Sequence, residues 1–243
     1  MNLNIDDFCE KHYRDILQLA VSSGYEFVGY NEFSKKGKIA LWRHDIDFSP
    51  QRALALAEIE HDCGVKSTYF IQLNSWFYNV FETEIRNIFT KIKELGHDFG
   101  LHFDVAAYNV KDRSSFERKL SFEKNTLEEL LSIKINSFSF HNPSEFVSDF
   151  QETVIADMLN VYCSEIVNKY EYCSDSNGFW RFKRMVDFVG NDFQYIQVLT
   201  HPGWWQRDSM RPRDRILRCL EGRSQSTISQ YDSLLESFGR KNF

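Results

Sequence analysis

Apolar and polar positions along this chain follow two alternating periods. Short runs of apolar or aromatic residues predict strands, and apolar residues that recur about every 3.6 positions predict helices. The predicted strands cover about 39–43, 67–71, 98–103, 135–141, 161–163, 179–182 and 195–201. The predicted helices cover about 6–21, 49–64, 81–95, 114–131, 152–159, 212–221 and 227–238. This alternation of strand and helix favours a parallel sheet.

Two helix ends carry local signals in the sequence. Ser49 is a favoured N-cap, because its hydroxyl accepts a hydrogen bond from a backbone N–H of the first turn, and Pro50 suits the position after it. Gly96 suits the end of the helix at 81–95, since glycine readily adopts the left-handed conformation found there. Both helices therefore have one predicted boundary.

Acidic residues and histidines recur at the carboxyl ends of the predicted strands. They are Asp45, Asp47, His102, Asp104, His141 and His201. In a (β/α) barrel the carboxyl ends of all strands converge on the face that carries the chemistry. A doubly wound open sheet also gathers such residues, but neither a GxGxxG nor a P-loop motif is present. We expect an α/β fold, an irregular (β/α) barrel with about seven parallel strands.

Composition and charge exclude several classes of protein. The 243 residues, 42% apolar and 26% charged, fit one globular domain over residues 1–243. The formal net charge of −6 and the lack of a basic stripe argue against a nucleic-acid partner. No window approaches the ~20 apolar residues of a membrane span, and no apolar targeting segment is seen. Five scattered cysteines without a CxxC pair predict reduced thiols in the cytoplasm rather than a thiolate zinc site. The oligomeric state is left open.

Carboxylate and imidazole groups gathered at one face are typical of a metal-dependent hydrolase. Zinc and similar ions bind His nitrogen and Asp oxygen at ~2.0–2.2 Å and keep one position open for water. The ion lowers the pKa of that water towards ~7, a carboxylate takes its proton, and a histidine protonates the leaving group. A single histidine at a strand end is more often structural, so this prediction depends on their recurrence at successive strand ends.

The order of these motifs resembles the polysaccharide deacetylase family, also called the NodB-homology domain, in a divergent form. The resemblance covers roughly residues 39–205 and rests on five short motifs in the family's order. The motifs read Arg43-His44-Asp45-Ile46-Asp47, Gly100-Leu101-His102-Phe103-Asp104, Phe140-His141-Asn142-Pro143, Ser174-Asp175-Ser176-Asn177-Gly178-Phe179-Trp180-Arg181 and Leu199-Thr200-His201-Pro202-Gly203-Trp204.

The resemblance implies roles for four residues of these motifs. Asp45 corresponds to the family's catalytic base, and Asp47 to the aspartate that binds the metal. His102 corresponds to a metal-binding histidine, and His201 to the general acid. The family also implies a cofactor of one divalent metal ion, with zinc expected and cobalt or nickel as alternatives.

One family position is missing from this chain. The family usually has a second metal-binding histidine four residues after the first, where this chain has Ala106. We expect His141 to supply the third ligand, because it ends the next predicted strand, and Asp104 is its competitor.

Other motif residues are expected to support the site or contact the substrate. They are Arg43, His44, Asp104, Asp175, Trp180, Arg181 and Trp204. Either Arg43 or Arg181 is expected to pair with Asp45, and Asp175 to position one of those arginines. Tryptophans stack well against sugar rings, although they serve equally well in a core.

The favoured function is removal of an N-acyl group, acetyl above all, from an amino sugar. The expected cytoplasmic location and the resemblance to the deacetylase family favour, as substrate, a nucleotide-linked or lipid-linked precursor of a surface polysaccharide such as lipopolysaccharide. A glycosyltransferase with Asp45-Ile46-Asp47 as its metal site is one alternative, but it leaves the histidines without a common task. Phosphoryl transfer lacks a matching lysine and a further acidic motif. A decayed, carbohydrate-binding hydrolase scaffold is the non-enzyme alternative, and Ala106 favours it.

Overall fold

A mostly parallel β-sheet forms the centre of the fold. The computed structural model describes residues 4–108, 110, 112–142, 145–148 and 150–241. The strands are β1 Glu26–Val28, β2 Ile39–Ile46, β3 Thr68–Ile71, β4 Asp98–Asp104, β5 Ile135–His141, β6 Val154–Ile155, β7 Met158–Asn160, β8 Glu171–Ser174 and β9 Tyr195–Thr200. Helices follow most of the longer strands, as the alternating sequence pattern predicts.

The helices lie between the strands and after the last of them. The α-helices are α1 Glu10–Ser22, α2 Pro50–Asp62, α3 Thr83–Glu94, α4 Arg113–Leu131, α5 Glu145–Ser148, α6 Ser164–Val167, α7 Met185–Val189 and α8 Pro212–Ser237. Short 3₁₀ helices cover Ile5–Asp7, Tyr30–Glu32, Val105–Ala107 and Pro202–Trp204. No helix among the described residues is both long and apolar enough to span a bilayer.

The order of the strands makes an open sheet. It runs β6-β7-β5-β4-β3-β2-β9-β8, and β1 pairs with the beginning of β2. Every pairing is parallel except that of β6 with β7. The prediction of an α/β fold with a parallel sheet is confirmed. The sheet does not close into a full barrel, because β6 and β8 are its two ends.

Strand β2 lies at the centre of the sheet and is buried along its whole length. Side chains alternate between the two faces of a strand. Ala40 and Trp42 pack in the cluster that contains the buried side chains of α1, whereas Ile39 and Leu41 pack with Phe70 on the other face. The same alternation sets the directions of the charged residues that follow along β2.

The helix boundaries predicted from Ser49 and Gly96 are confirmed. The Ser49 hydroxyl accepts a hydrogen bond from the Arg52 N–H at 3.2 Å, and Pro50 is the first residue of α2. Helix α3 ends at Glu94, and Gly96 has a φ of 92° that favours glycine.

The segment predicted as a helix at 152–159 is instead the antiparallel pair β6 and β7. The turn between them holds Ala156 and Asp157 at φ values of 50° and 58°, the left-handed region that tight hairpins use. The predicted strand at 161–163 is wrong by a few residues, since β7 ends at Asn160. Strand β7 pairs with β5, which lies far from it in the sequence, and this pairing determines the secondary structure of the region.

Two further predictions are wrong, and two strands were not predicted. Residues 179–182 contain no strand, and β8 lies before them. Only one of the β8 side chains is buried, so this edge strand lacks a strong apolar run. Strand β1 is short and was also not predicted. Helices 212–221 and 227–238 are one continuous helix, α8, because the polar residues between them do not break it.

Candidate metal centre

Three potential metal ligands converge where β2, β4 and β5 end. Asp47 directly follows β2, His102 lies in β4, and His141 is the last residue of β5. Asp47 Oδ1 lies 3.1 Å from His102 Nε2 and 3.4 Å from His141 Nδ1. The two ring nitrogens are 3.2 Å apart. The three ligand atoms all lie within 4.8 Å of one another, so one ion can bind them together.

The chemistry of this cluster fits a divalent cation. Asp47 Oδ1 is buried and has no hydrogen-bond partner among the described residues. Burial alone would raise the pKa of Asp47, but the imidazoles of His102 and His141 hold that pKa well below its usual value. An ionised carboxylate facing two imidazole nitrogens is a common ligand set for zinc and similar ions. With three protein ligands, such an ion keeps a position open for water.

His102 is held by contacts on both sides of its ring. Its Nδ1 lies 2.7 Å from Ser139 Oγ and 3.6 Å from Asp45 Oδ2. Ser139 Oγ in turn lies 3.4 Å from Asp45 Oδ1. A proton held on Nδ1 leaves the Nε2 lone pair free for a metal ion. No sequence motif points to Ser139, although it precedes His141 by two residues and therefore shares its face of β5.

The outer nitrogen of His141 is also in contact with a polar side chain. Its Nε2 lies 3.0 Å from the Asn142 side-chain amide, and Asn142 has a left-handed φ of 47°. This contact orients Nδ1 towards Asp47. Pro143, the next residue of the motif, lies outside the described residues.

Asp45 is almost fully buried and pairs with Arg43. The Arg43 guanidinium lies 3.4 Å from Asp45 Oδ2, and both side chains are at most 2% exposed. Arg43 also donates a hydrogen bond to Tyr162 Oη at 3.1 Å. Of the two candidate arginines, the structure brings Arg43 to Asp45. Arg181 is exposed and packs against Phe182 instead.

His201 faces the cluster from the end of β9. Asp175, just after β8, lies 2.7 Å from His201 Nδ1 and accepts a hydrogen bond from the His201 backbone N–H at 2.7 Å. Trp205 Nε1 donates to the same carboxylate at 3.0 Å. Asp175 therefore contacts His201 rather than either arginine, contrary to the sequence interpretation.

The position of His201 gives it a second carboxylate neighbour. Its Nε2 lies 3.9 Å from Asp47 Oδ2. Burial lowers the pKa of His201, but the carboxylates of Asp175, Asp47 and Asp45 together raise it more, and the result is a pKa of about 9. The neighbouring carboxylates therefore favour the protonated form of His201.

Two of the expected supporting residues lie away from the cluster. His44 points to the opposite face of β2, where its Nε2 lies 2.6 Å from Glu60 Oε1 and its Nδ1 2.5 Å from Thr200 Oγ1. The alternation of side chains along a strand separates it from Asp45. Asp104 accepts a hydrogen bond from the Ala106 N–H at 2.9 Å, and it is not a member of the ligand cluster.

The two expected substrate-stacking tryptophans make contacts within the protein. Trp180 donates a hydrogen bond to Asp7 Oδ2 at 2.7 Å and stacks on Phe8 with ring centroids 4.7 Å apart. Trp204 packs edge-on against Phe48 at 4.8 Å and is only partly buried. Trp180 therefore packs against the protein's own residues and is explained as a structural side chain.

Neither a protein-family model nor a curated protein matches the chain. Among solved structures, a family 4 carbohydrate esterase from Bacillus anthracis matches with a TM-score of 0.46 and 13% identity, covering 88% of this chain and 86% of that one. The chitin deacetylase of the fungal pathogen Colletotrichum lindemuthianum matches with a TM-score of 0.45 and 11% identity, covering 83% and 87%. A CE4 family pseudoenzyme from Bacillus anthracis matches with a TM-score of 0.45 and 14% identity, covering 78% and 61%. The chain is thus similar to carbohydrate esterases of family 4 and to a chitin deacetylase, at 11–14% identity and TM-scores of 0.45–0.46.

Proposed function

We propose that this protein is a metal-dependent hydrolase that removes an N-acyl group, acetyl above all, from an amino sugar. The observation that carries the proposal is the convergence of Asp47, His102 and His141, with His201 on the adjoining side of Asp47. This arrangement combines a ligand set that fits a cation with a separate histidine able to donate a proton.

Asp47, His102 and His141 would hold one divalent ion, zinc in the first place and cobalt or nickel as alternatives. Such an ion supplies a nucleophile near neutral pH by lowering the pKa of bound water, and it polarises the carbonyl of the substrate. His141 takes the place of the family histidine that is Ala106 in this chain. The proposed site therefore has three protein ligands without that position.

His201 is the proposed general acid. Its Nδ1 is held by Asp175, which leaves Nε2 directed towards Asp47 and the site of reaction. A histidine oriented by a carboxylate can carry a proton on the other nitrogen and transfer it to a departing amine. The Asp175 carboxylate stabilises the cation that carries this proton.

Asp45 is the proposed proton acceptor for the attacking water. Arg43 and Ser139 contact its two carboxylate oxygens and fix its orientation. The same carboxylate lies 3.6 Å from His102 Nδ1, so it also helps to hold that ring. These contacts give Asp45 a task that differs from that of Asp47.

The proposed substrate is an amino sugar carried by a nucleotide or a lipid, as in the assembly of a surface polysaccharide. The order of the sequence motifs supports the sugar, and the expected location supports the carrier. A glycosyltransferase with Asp45 and Asp47 as its metal site leaves His102, His141 and His201 without a common task.

The test combines metal analysis with product analysis. Protein purified without chelators is expected to contain about one divalent ion per chain, and to release acetate from N-acetylamino sugars that are free, polymeric or linked to a nucleotide. Asp47→Asn is expected to lose both the ion and the activity, whereas Asp104→Asn, outside the cluster, is expected to keep the ion. Protein that binds no divalent ion would contradict the proposal, and release of a nucleoside diphosphate without acetate would favour the transferase.

A further inference from the structure

Six large apolar side chains are exposed along helix α8 and on the residue that directly follows it. They are Leu217, Leu220, Ile228, Tyr231, Leu234 and Phe238, and between 38% and 67% of each is accessible to solvent. A single exposed apolar residue is ordinary on a protein surface. A row of them on one helix is typical of a surface that binds a partner.

Another side of α8 makes the contacts with the rest of the protein. Cys219 Sγ lies 2.7 Å from the Phe48 carbonyl oxygen, and Ser226 and Gln230 donate hydrogen bonds to Glu84 at 3.2 and 2.8 Å. Positions 219, 226 and 230 lie on one side of a helix with 3.6 residues per turn. The apolar positions 220, 228 and 231 lie about 100–180° from that side around the helix axis, so they point away from the body of the protein.

The spacing of the apolar positions is that of helices that pair with each other. Positions 217, 220, 224, 228, 231, 235 and 238 follow one another in steps of three or four residues, as in the seam of a two-helix coil. Ser224 is the only polar residue among them. The seam is about 30 Å long, because each residue of a helix adds about 1.5 Å. A second helix of the same length would bury it.

The charge of the second half of α8 argues against a lipid surface as the partner. Helices that lie on membranes carry lysine and arginine on their polar side. Residues 224–237 contain no basic residue, and Asp232 and Glu236 make this half acidic. The next basic residues, Arg240 and Lys241, lie beyond the end of the helix. Anionic lipid headgroups would therefore be repelled by this half of α8.

The first half of α8 has the opposite net charge. Residues 212–223 contain four arginines and two acidic residues, and the positive excess remains although Glu82 pairs with Arg223. Two copies of α8 packed antiparallel place the positive half of each helix against the acidic half of the other. Parallel copies would place like charge against like charge. The charges of α8 therefore favour a second, antiparallel copy of the same helix.

We propose that α8 is the interface of a homodimer, in which its exposed apolar side packs antiparallel against the same side of a second copy. Such an interface is self-complementary, as a twofold dimer requires. With the helices crossing near Thr227, Arg218 comes beside Glu236 of the partner subunit and Leu217 beside Phe238 of the partner subunit. None of these residues belongs to the metal cluster, so the dimer does not depend on the proposed hydrolase activity.

The test measures the mass of the full-length protein in solution by sedimentation equilibrium. The unchanged protein is expected at twice the chain mass of 28.8 kDa at micromolar concentration. The combined variant Ile228→Ala, Tyr231→Ala and Leu234→Ala is expected to dissociate with a Kd raised about 100-fold or more, since each truncation removes apolar contact from the interface. Alanine favours the helix, so α8 itself is retained, which circular dichroism checks.

The matched control places three alanines at exposed polar positions on another side of the same helix: Gln225→Ala, Ser229→Ala and Ser233→Ala. This variant is expected to dimerise as the unchanged protein does. The proposal fails if the unchanged protein stays monomeric up to about 100 μM. It also fails if the variant with the truncated apolar side chains dimerises as tightly as the control.

A membrane as the partner is tested with vesicles of phosphatidylcholine and phosphatidylglycerol. The unchanged protein is expected to remain in solution when the vesicles are sedimented. Co-sedimentation of a monomeric protein, lost on truncation of the apolar side chains and kept in the control variant, would assign α8 to a lipid surface and overturn the dimer.

The antiparallel orientation is tested by exchanging two charges. Arg218→Glu is expected to weaken the dimer several-fold, because it sets two carboxylates side by side. Adding Glu236→Arg is expected to restore the affinity, since the pair then has opposite charges again. Failure of the second substitution to restore any affinity would overturn the antiparallel arrangement.

Discussion

Ser139 Oγ lies 2.7 Å from Nδ1 of His102, while Nε2 of the same ring lies 3.1 Å from Asp47 Oδ1. The hydroxyl therefore contacts one nitrogen of the imidazole while the other faces the candidate ion. Ser139 Oγ also lies 3.4 Å from Asp45 Oδ1. This serine of β5 therefore links Asp45 of β2 to His102 of β4.

Replacing Ser139 with alanine is expected to weaken metal binding. The hydroxyl fixes the ring and its tautomer, and loss of such a contact typically costs about 10–100-fold in metal affinity. Competition titration with a chromogenic chelator measures this affinity. The matched control is Ser137→Ala, two residues earlier in β5 and also buried, which is expected to bind metal normally. Equal affinity of both variants and the unchanged protein would show that Ser139 does not position His102.

Asp45→Asn is expected to keep the metal ion and lose at least about 100-fold in turnover, because general-base catalysis contributes about that much or more. The amide preserves the size of the side chain but accepts no proton from water. Metal content and acetate release are measured on the same preparation. If Asp45→Asn instead lost the ion as completely as Asp47→Asn, its main task would be to hold His102.

Asp175→Asn is expected to lower the pKa of His201. Burial lowers that pKa, and Asp175, with smaller contributions from Asp47 and Asp45, raises it to about 9, so loss of the Asp175 carboxylate should lower the pKa towards its ordinary value of 6.5. NMR titration of the imidazole signals in the metal-free protein measures the change. Asp208→Asn, which removes an exposed carboxylate, is the control and is expected to leave the pKa unchanged. A pKa that stays near 9 in Asp175→Asn would exclude Asp175 as its cause.

Glu123, buried in α4, should make stability depend on pH. Burial raises its pKa to about 7, although Tyr108 donates a hydrogen bond to it at 2.7 Å. Because the folded-state pKa is higher than the unfolded value of 4.5, the stability present below about pH 4.5 is lost as the pH rises through 7. Glu123→Gln stays neutral at every pH. Its free energy of unfolding, relative to that of the unchanged protein, should therefore rise by on the order of 2 kcal/mol from about pH 4.5 to pH 8.

Urea unfolding at these two pH values measures the effect of Glu123→Gln. The control is Glu129→Gln, which replaces an exposed carboxylate of the same helix and is expected to show no such dependence. If the difference in unfolding free energy between Glu123→Gln and the unchanged protein is the same at both pH values, the pKa of Glu123 is not raised by burial.

The central elements could be predicted because their patterns are local. Strands β2, β3, β4, β5 and β9 each contain several apolar or aromatic residues within a short segment, and most of their positions are buried. The short or edge strands were missed, since β8 buries little and β6 is stabilised by its pairing with β7. The local pattern of apolar and polar residues does not show which distant segments pair with each other.

The sequence alone predicts that the residues at the strand ends lie close together, because parallel strands place their carboxyl ends on one side of a sheet. That geometry is general, so Asp47, His102, His141 and His201 could be grouped before any coordinate was known. Their individual partners depend on strand register and side-chain direction, which only the tertiary structure sets. Register placed Ser139 beside His102 and Asp175 beside His201, and the alternation along β2 turned His44 away from the site. Long-range packing also enclosed Arg215, whose guanidinium stacks on Phe8 and donates to the Gly178 carbonyl, contacts that no local sequence pattern specifies.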